Sequence, residues 1–299
     1  MKTKFKLTTP VLYLVFNRLD TVKQTFPEIQ KAKPKQLFIG ADGPRTKQEK
    51  EKTDAVREYI LKNINWKCEV KILFKNKNLG CNYAVSGAID WFFENVEQGI
   101  ILEDDCLPDQ SFFRFCQEML EKYKENKKIM SISGYNPLGV YNIDESYLFS
   151  KYFYCWGWAT WRRAWKLNDL EMKEYINIKK LGILKEYLPG FFERIFYKKK
   201  FNQNVEGKIN SWDASFSFSQ IFYKKLSIIP KANLIQNLGF SNLSSTHTRE
   251  SYWDKKYLCY ERMKIEFPLI YPNIIKEDKK FDKNYIFLNI KRVFLKKIF

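Results

Sequence analysis

The 299-residue chain has one histidine, His247, and no Cys-x-x-Cys pair among its six cysteines. No zinc-type or thioredoxin-type spacing is therefore present. With 45% hydrophobic and 17% aromatic residues the chain can bury a sizeable core that needs no disulfide staples. The cysteines read as reduced, mostly buried thiols of a cytosolic protein. Acidic residues are scarce relative to basic ones, 34 against 52, which leaves a formal charge of +18. That excess favours anionic partners: nucleic acid, an acidic membrane surface or phosphorylated small molecules. No Arg-rich block interleaved with stacking aromatics occurs, and the lysines are spread along the whole length, so no nucleic-acid partner is expected. No apolar run approaches the roughly 20 residues of a membrane span. Val11 to Phe16 is too short for a signal-peptide core and has no cleavage site after it. The expected location is cytoplasmic, with the inner face of the cell membrane as a candidate peripheral site. No internal repeat or low-complexity linker divides the chain, whose length suits one large α/β domain or two small ones.

The most informative stretch present is Gly99-Ile100-Ile101-Leu102-Glu103-Asp104-Asp105-Cys106-Leu107-Pro108. Its apolar run fits a buried strand, and three consecutive carboxylates at the strand end are costly unless something positive compensates them. A hard divalent cation does so with oxygen ligands, filling its remaining positions with water and substrate phosphate. Ligands of open α/β sheets bind beyond the carboxyl ends of the strands, where this triplet falls. The plainer alternative is an acidic strand-to-loop junction, with Asp109 capping a helix that starts at Ser111.

Val11 to Phe16 reads as a first buried strand ending in Asn17-Arg18, with Asp20 placed to cap a helix that Pro27 should kink or shorten. Gln36 to Asp42 is a second strand, stopped by Gly43-Pro44. A charged helix near Lys47 to Lys62 leads to a third strand at about Cys68 to Phe74. Asn78-Leu79-Gly80 then turns into a helix with Ala84, Ala88, Trp91 and Phe92 on its apolar side. The alternation predicts right-handed βαβ units and a mainly parallel sheet flanked by helices. It brings Arg18, Asp42 and the acidic triplet to one edge.

Ile129 to Ser133 and Tyr147 to Tyr154 read as later strands. Trp158, Trp161 and Trp165 lie at helical spacing, which predicts one helical face. Trp156 and Gly157, in the turn before it, are candidates for contact with a sugar ring. Lys166 to Lys208 is Lys-rich and helical, in the manner of an inserted lid. Trp212-Asp213 opens another helix with Ser211 as its cap, and Asp213 there is either a candidate acid–base group or a partner of the helix dipole. Ser227 to Ile229 and Ala232 to Gln236 read as late strand. His247 is either structural or the residue that completes a metal shell near the acidic strand end. The C-terminus, Tyr285 to Phe299, mixes bulky apolar residues with cations and suits either an anionic membrane surface or packing on the core.

The series Asn17-Arg18, Ala41-Asp42-Gly43, Gly80, Glu103-Asp104-Asp105 with Pro108-Asp109 and Phe112-Phe113, Trp156-Gly157-Trp158 and Trp212-Asp213 resembles GT-A glycosyltransferases. The likeness is to the N-acetylglucosaminyltransferase I type and to bacterial relatives in surface-glycan clusters, over roughly residues 10 to 245. The resemblance implies a Rossmann-like GT-A domain at 1–245, a helical lid or acceptor insertion at about 166–210, and a basic C-terminal extension at 246–299. It implies Arg18 on donor phosphate, Asp42 on the uracil edge, Glu103 and Asp104 on ribose or donor sugar, Asp105 on Mn²⁺ or Mg²⁺, and Asp213 as catalytic base. Gly80 falls among the nucleotide-sugar contacts, and Trp156, Gly157 and Trp212 among the sugar or acceptor contacts. Two positions depart from the family pattern: Ala214 stands where a second acid would follow, and Ala88 falls near where a nucleotide-contacting histidine would be.

The expected activity is metal-dependent inverting transfer of a sugar from a nucleotide sugar, UDP first, to a hydroxyl of a glycan or lipid-linked glycan, in bacterial surface polysaccharide or lipooligosaccharide synthesis. Two alternatives differ in class. A sugar-phosphate nucleotidyltransferase would carry a Gly-rich basic loop after the first strand, where this chain has Asn17-Arg18-Leu19-Asp20. A basic non-catalytic module for membrane or nucleic acid would leave the acidic strand end without a purpose.

Overall fold

A computed structural model describes residues 5–240, 256 and 258–298. The strands are β1 (Val11–Val15), β2 (Gln36–Ala41), β3 (Glu69–Phe74), β4 (Gln98–Glu103), β5 (Cys106–Pro108), β6 (Ile129–Ser133), β7 (Tyr147–Ser150), β8 (Trp158–Trp161), β9 (Leu226–Pro230) and β10 (Ile235–Asn237). The helices are α1 (Leu19–Ala32), α2 (Lys47–Lys62), α3 (Gly80–Asn95), α4 (Gln110–Lys122), α5 (Arg162–Trp165), α6 (Lys173–Lys180), α7 (Phe191–Val205), α8 (Asp213–Phe222) and α9 (Lys279–Ile298). Eight strands form one sheet in the order β3-β2-β1-β4-β8-β6-β9-β7. β1 to β4 pair in parallel, β6 pairs in parallel with β9, and only β8 and β7 run against their neighbours. This is a mixed α/β fold around a mostly parallel central sheet.

β1 is buried along its whole length, and its pleat sends alternate residues to opposite helix layers. Tyr13 packs on Phe26 of α1 and bonds Thr25 at 2.6 Å. Leu12 and Leu14 face the other way, where Gly40 lets Ala88 of α3 approach the sheet. The chain adds β2 and β3 on one side of β1, then returns to place β4 on the other. The order therefore reverses between β1 and β4, and the crevice at such a switch point is where α/β sheets bind ligands.

Several expectations are corrected. Trp158 and Trp161 do not share a helical face: they lie in β8, which pairs antiparallel with β4 and β6. Every residue of that strand is buried, so no amphipathic period exists to distinguish strand from helix. Asp20 is not a cap, because α1 starts at Leu19 after Arg18, whose carbonyl accepts from Val22 N at 3.1 Å. Pro27 neither stops nor shortens that helix. The carbonyl it leaves without a partner belongs to exposed Lys23, where water can reach it. Ser211 does not cap α8; Trp212 holds that position, and the Ser211 hydroxyl donates to Asp213. Asp109 does cap α4, accepting from Ser111 N at 2.8 Å.

A second hydrophobic cluster lies apart from the sheet core. There α6, α7, α8 and α9 pack Tyr175, Tyr197, Phe201, Phe218 and Phe281 around Tyr152 and Tyr154. The stretch from Lys166 to Lys208 carries α6 and α7, and α9 places Phe281 and Ile286 in this cluster. Of the two readings of the C-terminus, packing on the core holds for this part of the helix. Among the described residues no helix is long and apolar enough to cross a membrane.

Asp282 of α9 is carried into the cluster, where it accepts from Ser150 Oγ at 2.5 Å and Lys151 N at 3.3 Å. Burial outweighs those bonds and pushes its pKa up from 3.8 to about 7. The folded carboxyl holds its proton above the unfolded value, so stability is lost as pH rises through the window from 3.8 to about 7. Thermal unfolding across that window should show Tm falling with rising pH more steeply in the wild type than in Asp282→Asn. Equal slopes would remove Asp282 as the cause.

Candidate active site

A cavity of about 460 Å³ opens at the switch point, beyond the carboxyl ends of β1, β2 and β4. Ligand pockets commonly enclose a few hundred Å³. Of the residues anticipated from sequence, Arg18, Asp42, Gly80, Glu103, Asp104, Asp105 and Trp156 all line it.

The acidic triplet is compensated by one guanidinium. Arg18 Nη2 donates to Asp104 Oδ1 and, at 3.1 Å, to Asp105 Oδ2. Asp104 is buried and also accepts from Phe16 N at 3.2 Å, so it is turned beneath Arg18 and ties β1 to β4. Burial pushes the Asp104 carboxyl up to about 6 against the pull of Arg18. Among the described residues no hydrogen bond or ion pair reaches the Glu103 carboxyl, and burial, then Asp105, then Asp104, outweigh the charge of Arg18 and push it up to about 8. Burial is the larger cause of both shifts, and the neighbouring carboxylates add to it.

Asp42 organises the opposite wall. Its carboxylate accepts from Gly43 N at 2.8 Å, Asn78 Nδ2 at 2.8 Å, Leu79 N at 2.9 Å and Gly80 N at 3.2 Å. Those bonds hold the turn into α3. Gly80 has φ +78°, and a Cβ there would meet Asn210 Nδ2 at 2.6 Å, so the position needs glycine on both counts. Asn210 Oδ1 accepts from Asn82 N at 2.8 Å, which fastens the segment before α8 to the start of α3.

Asn210, Asn78, Arg45, Cys81 and Asn237 line the cavity too and were not anticipated. Asn237 arrives by β10, which pairs antiparallel with β5. Leu238 N then donates to the Asp105 carbonyl at 2.8 Å. Sequence offers no sign of that pairing, because β10 is three residues long and distant from β5 along the chain. The Cys81 thiol is pushed up to about 12 by burial and then by Glu103, Asp213, Asp105 and Asp42, so it is protonated and inert.

Asp213, Trp212 and Gly157 are not among the residues that line the cavity. Asp213 lies in the first turn of α8 and accepts from Lys200 Nζ at 2.5 Å and from Ser211. Burial raises its pKa, but Lys200 and Ser211 outweigh burial and hold it below the usual carboxylate range. It is near enough to the cavity for its charge to raise both Glu103 and Cys81. Trp212 is 3% exposed and stacks on Trp158 at 5.4 Å, which makes it a core residue. Gly157 has φ +59° and packs on Ile235 and Leu102, with its carbonyl accepting from Gly134 N at 2.7 Å. It shapes the turn beside Trp156. His247 lies outside the described residues.

Among the described residues no cluster of three or more His, Cys, Asp or Glu side chains is arranged to hold a metal ion. The donor chemistry nonetheless fits a hard cation that takes few protein ligands and completes its shell with water and phosphate. Three carboxylates face one guanidinium. A Cβ at Gly239 would lie 2.7 Å from Asp105 Oδ2 and 3.0 Å from Asn237 Oδ1, so the turn in which Gly239 N donates to Asn237 Oδ1 needs glycine to pass beside Asp105.

No family model and no curated protein matches the chain. Among solved structures it is similar to a mannosyltransferase from Pyrobaculum calidifontis in complex with GDP-Man and Mn²⁺, at 14% identity and TM-score 0.37 over 54% of this chain and 46% of that one. It is also similar to S. aureus TarS, at 10% identity and TM-score 0.45 over 76% of this chain and 36% of that one. A third is a UDP-glucose pyrophosphorylase complexed with UDP-glucose, at 12% identity and TM-score 0.43 over 77% and 92%. The chain spans less than half the length of the first two. At these scores none of them assigns an activity to this chain.

Breaking a buried ion pair by removing one partner costs about 3–5 kcal/mol. Arg18 is 23% exposed, and solvent screening reduces the loss expected for Arg18→Met to about 2 kcal/mol. Urea denaturation should show that loss, and Arg18→Met combined with Asp104→Asn should recover part of it. A double variant no more stable than the single one would mean that the carboxylates do not depend on Arg18 for compensation.

Proposed function

We propose that this chain is a metal-dependent inverting glycosyltransferase that uses a nucleotide sugar, UDP-linked in the first instance, and an acceptor hydroxyl on a glycan or lipid-linked glycan. The observation that carries the reading is the switch-point cavity in which Arg18 and a surplus of carboxylate charge meet. Alone, such a floor would repel a nucleoside diphosphate. A divalent ion would be held there by Asp105, and the same floor would then serve as a diphosphate site. The ion supplies charge neutralisation on the leaving diphosphate.

The chain's own residues account for the rest. Arg18 brings a fixed positive charge to the diphosphate end of the cavity, where negative charge grows as the sugar bond breaks. Asp42 holds Asn78 and the α3 turn as one wall, against which a nucleoside can be positioned. Trp156 offers a partly exposed ring for the sugar. Asp213, kept ionised by Lys200, accepts the acceptor hydroxyl's proton, and one base with no covalent intermediate is the minimal scheme for inversion.

Calorimetric titration with UDP should give Mn²⁺-dependent binding that is lost in Asp105→Ala. Binding indifferent to both metal and Asp105, or no UDP binding at all, would sink the reading. With a UDP-sugar that is turned over, Asp213→Asn should lower kcat by roughly 10²–10⁴-fold while leaving UDP affinity unchanged. Unaltered kcat would move the base elsewhere. Release of pyrophosphate from a sugar phosphate and a nucleoside triphosphate would instead mark a nucleotidyltransferase.

A further inference from the structure

For the C-terminal stretch the sequence allows either a membrane surface or packing on the core, and α9 buries Phe281 and Ile286 in protein while leaving Phe287 exposed. Among the described residues, another group of exposed apolar side chains lies on α7. Glu193, Tyr197 and Phe201 form its buried stripe, four residues apart. Glu193 fixes the orientation: it accepts from Tyr152 Oη at 2.7 Å and Gly190 N at 2.9 Å and pairs with Lys151 at 2.5 Å. With that face turned inward, Phe191, Phe192 and Ile195 are turned outward, at 65%, 59% and 53% exposure. Lys198 and Lys199 follow on the next turn and are exposed as well.

Single exposed apolar residues are ordinary. Three at neighbouring positions on one helix, with two phenylalanine rings 5.4 Å apart, make a contiguous patch. Aromatic and aliphatic residues beside lysines are the composition of helices that lie in the membrane interface. The chain's formal +18 charge complements an anionic leaflet in the same sense.

We propose that the first two turns of α7 dock this protein on an anionic lipid bilayer. Phe191, Phe192 and Ile195 enter the headgroup region, while Lys198 and Lys199 meet lipid phosphates. The same helix carries Lys200, whose Nζ donates at 2.5 Å to Asp213 of α8, so one ion pair joins the helix of the docking surface to the candidate base. The docking proposal does not depend on the transfer reaction, and either can fail alone.

Co-sedimentation with phosphatidylcholine vesicles, with and without phosphatidylserine, tests it without a substrate. The wild-type protein should partition onto phosphatidylserine vesicles and be released by high salt. Phe191→Ser combined with Phe192→Ser should weaken that partition about tenfold or more. Both side chains are solvent-exposed, so the variant should keep its circular dichroism and Tm. Ile195→Ser, on the same face, provides a second variant if it does not. No partition of the wild type, or equal partition of the wild type and a folded variant, would overturn the proposal. A self-associated wild type whose dimer the Phe variants abolish, with no vesicle binding, would assign the patch to a second copy instead.

Discussion

Three carboxylates at the end of one strand share a single guanidinium, and the cavity is built around that imbalance. Burial does most to raise the proton affinity of Glu103 and Asp104, and neighbouring carboxylates raise it further. Arg18 offsets part of the repulsion by clamping Asp104 and Asp105 to the end of β1. What remains is a floor with affinity for further positive charge. A structural ion pair alone would need one carboxylate, so the surplus is the part of the site that stability does not explain.

The fold delivers this arrangement through connectivity. β1 and β4 are neighbours because the chain reverses direction across the sheet, and that reversal opens a crevice where two strand ends part company. Two short devices complete the walls. The β5–β10 ribbon carries Asn237 and Gly239 to Asp105, and Asn210 links the α8 approach to the start of α3. Each is a small, long-range contact, and together they make one cavity from segments that lie far apart in sequence.

Lys200 and Asp213 join α7 to α8. A base drawn below the usual carboxylate range is reliably ionised but intrinsically weak. The ion pair with Lys200 gives α7 a physical link to the chemistry proposed for Asp213. That helix also anchors the second hydrophobic cluster through Glu193, so its outward face is set by the same buried contacts.

Much of the fold was legible in the residues alone. The buried strand Val11 to Val15 is a continuous apolar run, and the charged stretch Lys47 to Lys62 reads as a helix between two strands. The strand-end polar groups Arg18, Asp42 and the acidic triplet could be placed on one edge because βαβ alternation dictates where strand ends point. Tertiary structure decided the remainder. Trp158 and Trp161 look helical until β4 and β6 claim them as a fully buried strand, for which periodicity carries no information. Trp212, a candidate contact by position, is core because Trp158 stacks on it. Asn210 and Asn237 are unremarkable in sequence and acquire meaning only from the segments they meet. Local patterns report what a residue prefers, whereas a cavity wall depends on which distant backbone arrives beside it.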